Sequence, residues 1–247
     1  MSNLKDRVAI VTGASSGIGE AIALDLAASG VRVALVARRK ERLDAVLHAI
    51  EAKGGEGLAI ACDASSQASA VMAVSSTVDK WGKVDILVNN AGVMYLGSVA
   101  GANTEDWRKM FDINVLGLMY FTHAVLPVMK KTGGNIVNVS SVSGRVVNAR
   151  SAAYSATKFA VNGFSDGLRQ EVAKDNIRVT IIEPGAVLTE LTDHITDEAT
   201  KANVKEWVAT MTALTSEDIA RAVTYAVGQP DHVNVNEIMI RPTDQTF

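Results

Sequence analysis

The stretch VAIVTGASSGIG, Val8–Gly19, joins a short apolar run to a segment of small residues, and the interpretation of the fold starts there. Val8–Val11 is predicted to be a strand, and Gly17–Ser29 the helix that follows it. The glycines between them have the spacing G-x-x-x-G-x-G, which lets the backbone approach a ligand closely. Free amides at a helix start favour a phosphate group. A tight turn that simply requires small residues has the same composition, but its place in the first βα unit favours phosphate binding.

The same alternation continues along all 247 residues. Short runs rich in Val, Ile and Leu are typical of parallel strands buried on both faces, and the segments between them have helical periodicity. Repeated βα units predict an α/β fold, a doubly wound parallel sheet of seven strands with helices on both faces. The predicted strands are Val8–Val11, Val31–Ala37, Leu58–Cys62, Ile86–Asn89, Ile136–Ser140, Val179–Glu183 and Glu237–Ile240. The predicted helices are Gly17–Ser29, Lys40–Lys53, Ser66–Trp81, Thr104–Lys131, Ala153–Lys174 and Ser216–Val227.

Residues 190–214 interrupt this rhythm. No linker or repeat divides the chain, so residues 1–247 are expected to form a single domain. The segment from Glu190 to Leu214 is polar with a helical tendency, and it is inserted after the sixth strand. Insertions at the carboxyl end of such strands lie over the ligand crevice. The segment is therefore predicted to be a substrate lid.

Composition argues against several classes of partner. A net charge of −3 and a pI near 5.8 provide no basic field for nucleic acid. Cys62 is the only cysteine, which suits a reducing compartment, and the four histidines show no metal-ligand spacing with it. The first residues lack the apolar core of a signal peptide, and charges or glycines interrupt the apolar runs before they reach membrane-spanning length. We expect a soluble cytoplasmic protein without a metal site.

Tyr154 and Lys158 are four residues apart in a predicted helix, so their side chains lie on one face, one turn apart. A phenol titrates near pH 10 and is a poor acid or base at neutral pH. A cation about 4 Å away, at an effective dielectric constant of about 20, is worth about 4 kcal/mol, or about three pK units. The spacing therefore predicts a Tyr154 pKa lowered toward neutrality.

The end of the second predicted strand is basic. Dinucleotide-binding folds commonly place a carboxylate there to bind the ribose 2′-hydroxyl, whereas this chain has Ala37 followed by Arg38, Arg39 and Lys40. A guanidinium group can bind a 2′-phosphate in bidentate fashion. NADP(H) is therefore expected in preference to NAD(H), although a solvated basic helix start would have the same sequence.

Further stretches stand after the later strands in a defined order. Asn89-Asn90-Ala91-Gly92 follows the fourth strand, Ser140-Ser141 ends the fifth, and the segment 184–189 (PGAVLT) follows the sixth. With Asn114, the glycine turn and the Tyr154–Lys158 pair, this set resembles the short, single-domain branch of the short-chain dehydrogenase/reductase (SDR) family. The resemblance covers nearly the whole chain, and it implies a Rossmann-type fold.

The resemblance also implies catalytic roles. Tyr154 is the expected general acid/base, and Lys158 lowers its pKa and binds the nicotinamide ribose. Ser141, thirteen residues before the tyrosine as in the family, is expected to hold and polarise the substrate oxygen. Ser140 is then an ordinary strand-end residue. Asn114 resembles the asparagine that bends the fifth helix and holds a water linking the lysine to solvent.

The expected cofactor contacts come from the glycine turn, the basic strand end and the family's adenosine and nicotinamide positions. These residues are Gly13, Ser15, Ser16, Gly17, Ile18, Gly19, Arg38, Arg39, Asp63, Ala64, Asn90, Ala91, Gly92, Tyr154, Lys158, Pro184, Gly185, Val187 and Thr189. The implied activity is hydride transfer between the nicotinamide of NADP(H) and a secondary alcohol or carbonyl compound. The alternatives are an NADP(H)-binding regulator and a non-redox lyase on the same scaffold.

Within the family, the C-terminal half is most similar to bacterial NADP-dependent carbonyl reductases of the clavulanic acid dehydrogenase type, and the serine-type 3-hydroxy acid dehydrogenases are more distant neighbours. Either Arg145 or Arg150 is expected to pair with a substrate carboxylate or to form a surface ion pair. Other candidate residues of a small-molecule substrate pocket are Met94, Tyr95, Val146 and Asn148.

The two longest predicted helices, Thr104–Lys131 and Ala153–Lys174, carry more apolar residues than one sheet face can cover. Members of the family commonly pair these helices across a twofold axis. A homotetramer is therefore expected, with a dimer as the alternative, and the opposing interpretation is that these residues pack only within one subunit.

Overall fold

The structure, a computed structural model, describes residues 4–246. Its strands are β1 (Val8–Thr12), β2 (Arg32–Ala37), β3 (Gly57–Ala61), β4 (Ile86–Asn89), β5 (Gly134–Val139), β6 (Ile177–Pro184) and β7 (Glu237–Ile240). Its α-helices are α1 (Gly17–Ala28), α2 (Lys40–Glu51), α3 (Gln67–Trp81), α4 (Thr104–Met110), α5 (Leu118–Met129), α6 (Ala152–Val172), α7 (Glu198–Ala209) and α8 (Ser216–Val227). Each predicted strand is present, with its ends moved by no more than two residues.

All seven strands are parallel and pair in the order β3-β2-β1-β4-β5-β6-β7. The chain moves outward from β1 to β3, then returns to the centre at β4 and continues in the other direction. The predicted doubly wound sheet is therefore confirmed. In such a sheet the crevice lies where the order reverses, outside the carboxyl ends of β1 and β4.

Two apolar cores cover the two faces of the sheet. Helices α1, α2 and α8 contribute to the first core, and α3, α5 and α6 contribute to the second. The inner strands are buried on both faces, as expected. That expectation is wrong for the two edge strands, since Ala61 of β3 and Glu237 and Met239 of β7 are exposed.

The predicted helix Thr104–Lys131 is continuous but not uniform. A π-helical segment, Phe111–Gly117, separates α4 from α5 and contains Asn114. Tight packing accompanies the distortion, because a Cβ atom on Gly117 would come within 2.6 Å of the Ala64 carbonyl oxygen. The altered winding is consistent with the expected bend at Asn114.

The stretch Thr104–Met129 also corrects one expectation. It is long and apolar enough to cross a membrane by length and composition, with a mean hydropathy of 1.3 in its most apolar window. Charges and glycines therefore do not interrupt every apolar run before that length. However, Phe121, Val125 and Met129 are fully buried in the second core, as in a helix that packs on a sheet.

Candidate active site

A cleft with a volume of about 660 Å³ lies at the switch in strand order. Its floor is formed by the ends of β1, β4, β5 and β6 together with the start of α6. Part of the inserted segment, from Glu190 to Val208, forms the opposite wall. The cleft therefore unites segments that are widely separated in the chain.

Most predicted cofactor residues line this cleft. Two site residues do not: Gly19 lies beneath the glycine turn, and Asn114 lies behind the wall. The predicted residues on the wall are Gly13, Ser15, Ser16, Gly17, Ile18, Arg38, Arg39, Asp63, Ala64, Asn90, Ala91, Gly92, Ser141, Tyr154, Lys158, Pro184, Gly185, Val187 and Thr189.

The glycine turn packs directly against the end of β4. Gly13 has a φ of +69°, and a Cβ atom there would lie 2.8 Å from Asn90 Nδ2 and 2.9 Å from Ala91 Cα. A Cβ atom on Gly19 would overlap the Gly13 carbonyl oxygen. Side chains at these two positions would push the turn away from β4, so the glycines are required for the shape of the cradle.

Thr12 joins the same two segments by hydrogen bonds. Its Oγ1 accepts from the backbone amides of Asn90 and Ala91, both at 3.0 Å, and donates to the Val88 carbonyl at 3.3 Å. Thr12 is almost fully buried, with 2% exposure. One hydroxyl therefore holds the loops that form the two sides of the crevice.

Tyr154 lies at the base of the cleft and is buried, and Ser141 hydrogen-bonds its hydroxyl. Burial raises the pKa of Tyr154 to about 12, and the hydrogen bond from Ser141 opposes this increase. The expectation of a pKa near neutrality is wrong for the chain's own groups, because desolvation outweighs the stabilisation of the phenolate. Tyr154 holds its proton at neutral pH.

Lys158 is buried one helical turn after Tyr154. Its Nζ donates to the Val139 carbonyl at 2.9 Å and lies 5.7 Å from the centroid of the Tyr154 ring. Burial lowers the pKa of Lys158 to about 8. Lys158 therefore remains mostly protonated at neutral pH, and its lowered pKa reflects the cost of burying that charge.

Asn114 connects the π-helical segment to α6. Its Oδ1 accepts from the Val93 amide at 2.8 Å, and its Nδ2 donates to the Val93 carbonyl at 2.9 Å and to Thr157 Oγ1 at 3.2 Å. Thr157 donates in turn to the Tyr154 carbonyl at 2.7 Å. Asn114 therefore positions the helix turn that carries Tyr154.

The basic end of β2 faces the glycine turn. Arg39 Nη2 donates to Ser16 Oγ at 2.8 Å and to Ser15 Oγ at 3.2 Å. Its Nη1 donates to Glu190 at 3.2 Å, and Arg42 donates to the same carboxylate at 2.7 Å. Arg38 also borders the cleft. The cations expected to bind a phosphate therefore lie beside the turn expected to bind the pyrophosphate.

The candidate substrate residues divide into two groups. Met94, Val146, Asn148 and Arg150 line the cleft. Tyr95 borders a smaller cavity nearby. Arg145 does not line the cleft, and instead forms ion pairs with the buried Glu183 and with Glu237, which raise its pKa. Between the two interpretations of Arg145, the ion pair is correct.

Sequence reasoning missed several residues at the site. Thr12 and Thr157 act through hydrogen bonds to segments far away in the chain, which no local spacing indicates. Gln245 accepts a hydrogen bond from the Ala186 amide at 2.9 Å, so the C-terminal segment supports the loop after β6. Arg42 and Glu190 form their contact across 148 residues. The one sequence signal for this contact was the basic run after β2, which indicated that an anion lies near Arg42.

A doubly wound parallel sheet with a glycine turn at the switch in strand order is typical of oxidoreductases that bind a dinucleotide. The chain belongs to the short-chain dehydrogenase family, because the family's sequence profile matches residues 7–200.

The chain is 40% identical to an uncharacterised oxidoreductase of Staphylococcus saprophyticus, over 100% of both chains. Among solved structures, the closed form of serine dehydrogenase complexed with NADP⁺ has a TM-score of 0.89 at 34% identity, covering 97% of this chain and 96% of its own. The alcohol dehydrogenase of the archaeon Thermococcus sibiricus complexed with 5-hydroxy-NADP has a TM-score of 0.86 at 29% identity, covering 97% of both chains. The protein is therefore similar along its whole length to oxidoreductases of this family.

Proposed function

We propose that this protein is an NADP(H)-dependent oxidoreductase that transfers a hydride between the nicotinamide and a secondary alcohol or carbonyl substrate, with Tyr154 as the acid/base. The observation that carries the proposal is the buried Tyr154 hydroxyl, hydrogen-bonded by Ser141, in the same cleft as the glycine turn. Hydride transfer needs both a dinucleotide cradle and a proton donor at one place.

The described residues fit a dinucleotide phosphate. The turn has no room for larger side chains at Gly13 and Gly19, where it packs against the residues that follow β4, and it leads directly into the N-terminus of α1. A helix N-terminus favours a pyrophosphate, and the nearby guanidinium groups favour a further phosphate. When bound, the nicotinamide supplies the hydride or accepts it.

Side chains of this protein then donate the proton and stabilise the charge that develops. In reduction, the Ser141 and Tyr154 hydroxyls donate hydrogen bonds to the carbonyl oxygen as negative charge develops on it. The raised pKa of Tyr154, about 12, keeps the proton available until that oxygen becomes basic enough to take it. Protonated Lys158 stabilises the resulting phenolate, and its lowered pKa, about 8, suits it to pass a proton on.

We further propose, as the finer assignment, a carbonyl reductase of the clavulanic acid dehydrogenase type. The support is the resemblance that extends from Ser143 to the C-terminal segment. Arg150 borders the cleft and donates to Thr200 Oγ1 at 3.0 Å, which suits an anionic substrate group held between α6 and the inserted segment. In this proposal residues 190–214 act as the lid of a single domain.

A homotetramer in the cytoplasm completes the proposal, with a dimer as the alternative assembly. Phe111, Leu116 and Phe159 are exposed by 41%, 38% and 45%, and they lie on the helical elements expected to pair across a twofold axis. Such side chains are typical of an interface between subunits. Cys62, the only cysteine, is unpaired, which suits a reducing compartment.

The first test replaces Tyr154 with phenylalanine. Removing the hydroxyl should lower turnover by about 10²- to 10⁴-fold, since that is the usual contribution of general acid catalysis. NADPH oxidation with a panel of ketones and aldehydes, followed by absorbance, measures the rate, and fluorescence titration measures NADPH affinity. The matched control is Tyr225→Phe on the exposed face of α8. Unchanged turnover in Tyr154→Phe would reject the acid/base assignment.

The second test concerns the cofactor. The double variant Arg38→Ala, Arg39→Ala should weaken NADPH far more than NADH, because only NADPH carries the 2′-phosphate. Arg221→Ala, an exposed arginine of α8, serves as the control. Equal losses for both cofactors would contradict the proposed preference.

A further inference from the structure

The carboxylate of Glu190 lies between two guanidinium groups at the edge of the cleft. Arg42 Nη1 donates to its Oε1 at 2.7 Å, and Arg39 Nη1 donates to its Oε2 at 3.2 Å. Each of the three side chains is roughly half exposed, so water and a bound ligand can both reach this cluster. Each carboxylate oxygen therefore has its own arginine.

The arginines in this arrangement form a preformed anion-binding site. Arg39 uses its second terminal nitrogen to bind the hydroxyls of Ser16 and Ser15, so the cluster is continuous with the glycine turn. Planar guanidinium groups bind carboxylates and phosphates with the same forked geometry. The hydrogen bonds from Arg42 and Arg39 lower the pKa of Glu190, and the carboxylate is therefore charged at neutral pH.

A phosphate and this carboxylate cannot both take the same donors. A phosphate monoester carries about 1.5 to 2 negative charges at neutral pH, so it repels Glu190 at close range and attracts the arginines more strongly. NADH has only a hydroxyl at the corresponding ribose position and does not compete for the donors.

We propose that Glu190 occupies the place of the NADP(H) 2′-phosphate, so that Glu190 and the phosphate compete for Arg39 and Arg42 and phosphate binding releases the segment that begins at Glu190. This inference rests on the proposed NADP(H) function. It makes Glu190 a residue that determines cofactor specificity, and it makes Arg42 a phosphate-binding residue besides Arg39.

The position of Glu190 in the chain connects this competition to the rest of the cleft. Glu190 opens the short 3₁₀ helix Glu190–His194, whose N-cap is Thr189. Thr189 Oγ1 accepts from the Leu191 amide at 3.3 Å, and the Thr189 methyl group packs beside the glycine turn. Movement of Glu190 is therefore transmitted to the residues that wall the cleft.

Neighbouring acidic residues provide a contrast. Asp193 pairs with Lys205, and Glu198 pairs with Lys201, so both carboxylates bind lysines of α7. Neither pair involves the arginines after β2. Glu198→Gln is therefore a matched control for Glu190→Gln, because it removes the same charge from the same segment.

The first experiment measures the dissociation constants of NADPH and NADH for the wild type and for both variants by fluorescence titration. Glu190→Gln should bind NADPH about three- to tenfold more tightly, because it removes two half-exposed ion pairs that compete for the arginines and one charge that repels the 2′-phosphate. The affinity for NADH should change by less than about twofold. Glu198→Gln should match the wild type. If Glu190→Gln leaves the ratio of the two constants unchanged, or weakens NADPH, the competition is refuted. If the wild type binds no NADPH, the proposed function itself fails.

The second experiment needs no variant. Hydrogen exchange of residues 190–195 is compared for the wild-type protein saturated with adenosine 2′,5′-bisphosphate and with adenosine 5′-monophosphate, which differ only in the 2′-phosphate. Release of Glu190 should increase exchange in this segment with the bisphosphate alone. Equal exchange with both nucleotides, or greater protection with the bisphosphate, would overturn the inference.

Discussion

Replacing Lys158 with methionine should abolish activity and yet make the protein more stable at neutral pH. Burial lowers the pKa of Lys158 from 10.5 to about 8, so holding the charged ammonium in the fold costs about 3 kcal/mol below pH 8. Methionine removes this cost and fills a similar volume. It also removes the hydrogen bond to the Val139 carbonyl, a loss of about 1–2 kcal/mol. The net gain is about 1–2 kcal/mol.

The sign of this effect depends on pH. Because the folded pKa of Lys158 is the lower one, the unfolded chain binds the proton more tightly between pH 8 and 10.5, and wild-type stability rises through that window. The advantage of Lys158→Met should therefore be largest below pH 8. Near pH 10 it should vanish or reverse, because the wild-type amine is then largely neutral and keeps its hydrogen bond.

Differential scanning calorimetry at matched protein concentration tests both statements. For a chain of this size, about 1–2 kcal/mol corresponds to a rise in Tm of about 2–8 °C near pH 7. The control is Lys174→Met, an exposed lysine shortly after α6, for which we expect little change at any pH. An unchanged or lower Tm of Lys158→Met at pH 7, or a difference that is the same near pH 10, would show that the buried charge does not carry this cost.

Two further predictions concern the cradle. Thr12→Val should destabilise the protein by about 1–3 kcal/mol in chemical denaturation, because the half-buried amides of Asn90 and Ala91 lose their shared acceptor. Thr12→Ser keeps the hydroxyl and should lose much less, and equal losses in the two variants would contradict this. Gly19→Ala should lower both stability and NADPH affinity, because the new methyl group would overlap the Gly13 carbonyl. Gly167 lies in α6, where an added Cβ would meet no atom within 4 Å. Gly167→Ala should instead stabilise the protein by up to about 1 kcal/mol. A similar loss of stability in Gly19→Ala and Gly167→Ala would refute the steric argument.

Much of the fold was predictable because its signals are local. Strands β4 and β7 have the predicted bounds, since a short apolar run between polar turns marks both ends of a strand. The turn at Gly13 and the residues after β4 were expected beside one cofactor from the family resemblance, and the structure places them in contact. The exposure of β7 was not predictable, because nothing in its composition shows that it lies at the edge of the sheet.

The candidate site was also predictable only where its signals are local in the sequence. The order of the motifs marked Ser141, Tyr154 and Lys158 as candidate catalytic residues, and all three line one cleft. The electrostatics did not follow from spacing. A four-residue separation brought Tyr154 and Lys158 close together, but it carried no information on how much of the protein surrounds them.

The amino-acid sequence by itself determined the succession of strands and helices, the family, and the residue types available for chemistry, because these follow from periodicity and from groups close together in the chain. Only the tertiary structure decided which charges are buried and which partners they have. The pKa values of Tyr154 and Lys158 are set by the protein packed around them. The Arg39–Glu190 contact joins residues 151 positions apart. Desolvation and long-range pairing depend on the packed arrangement of the whole chain, and no local pattern encodes them.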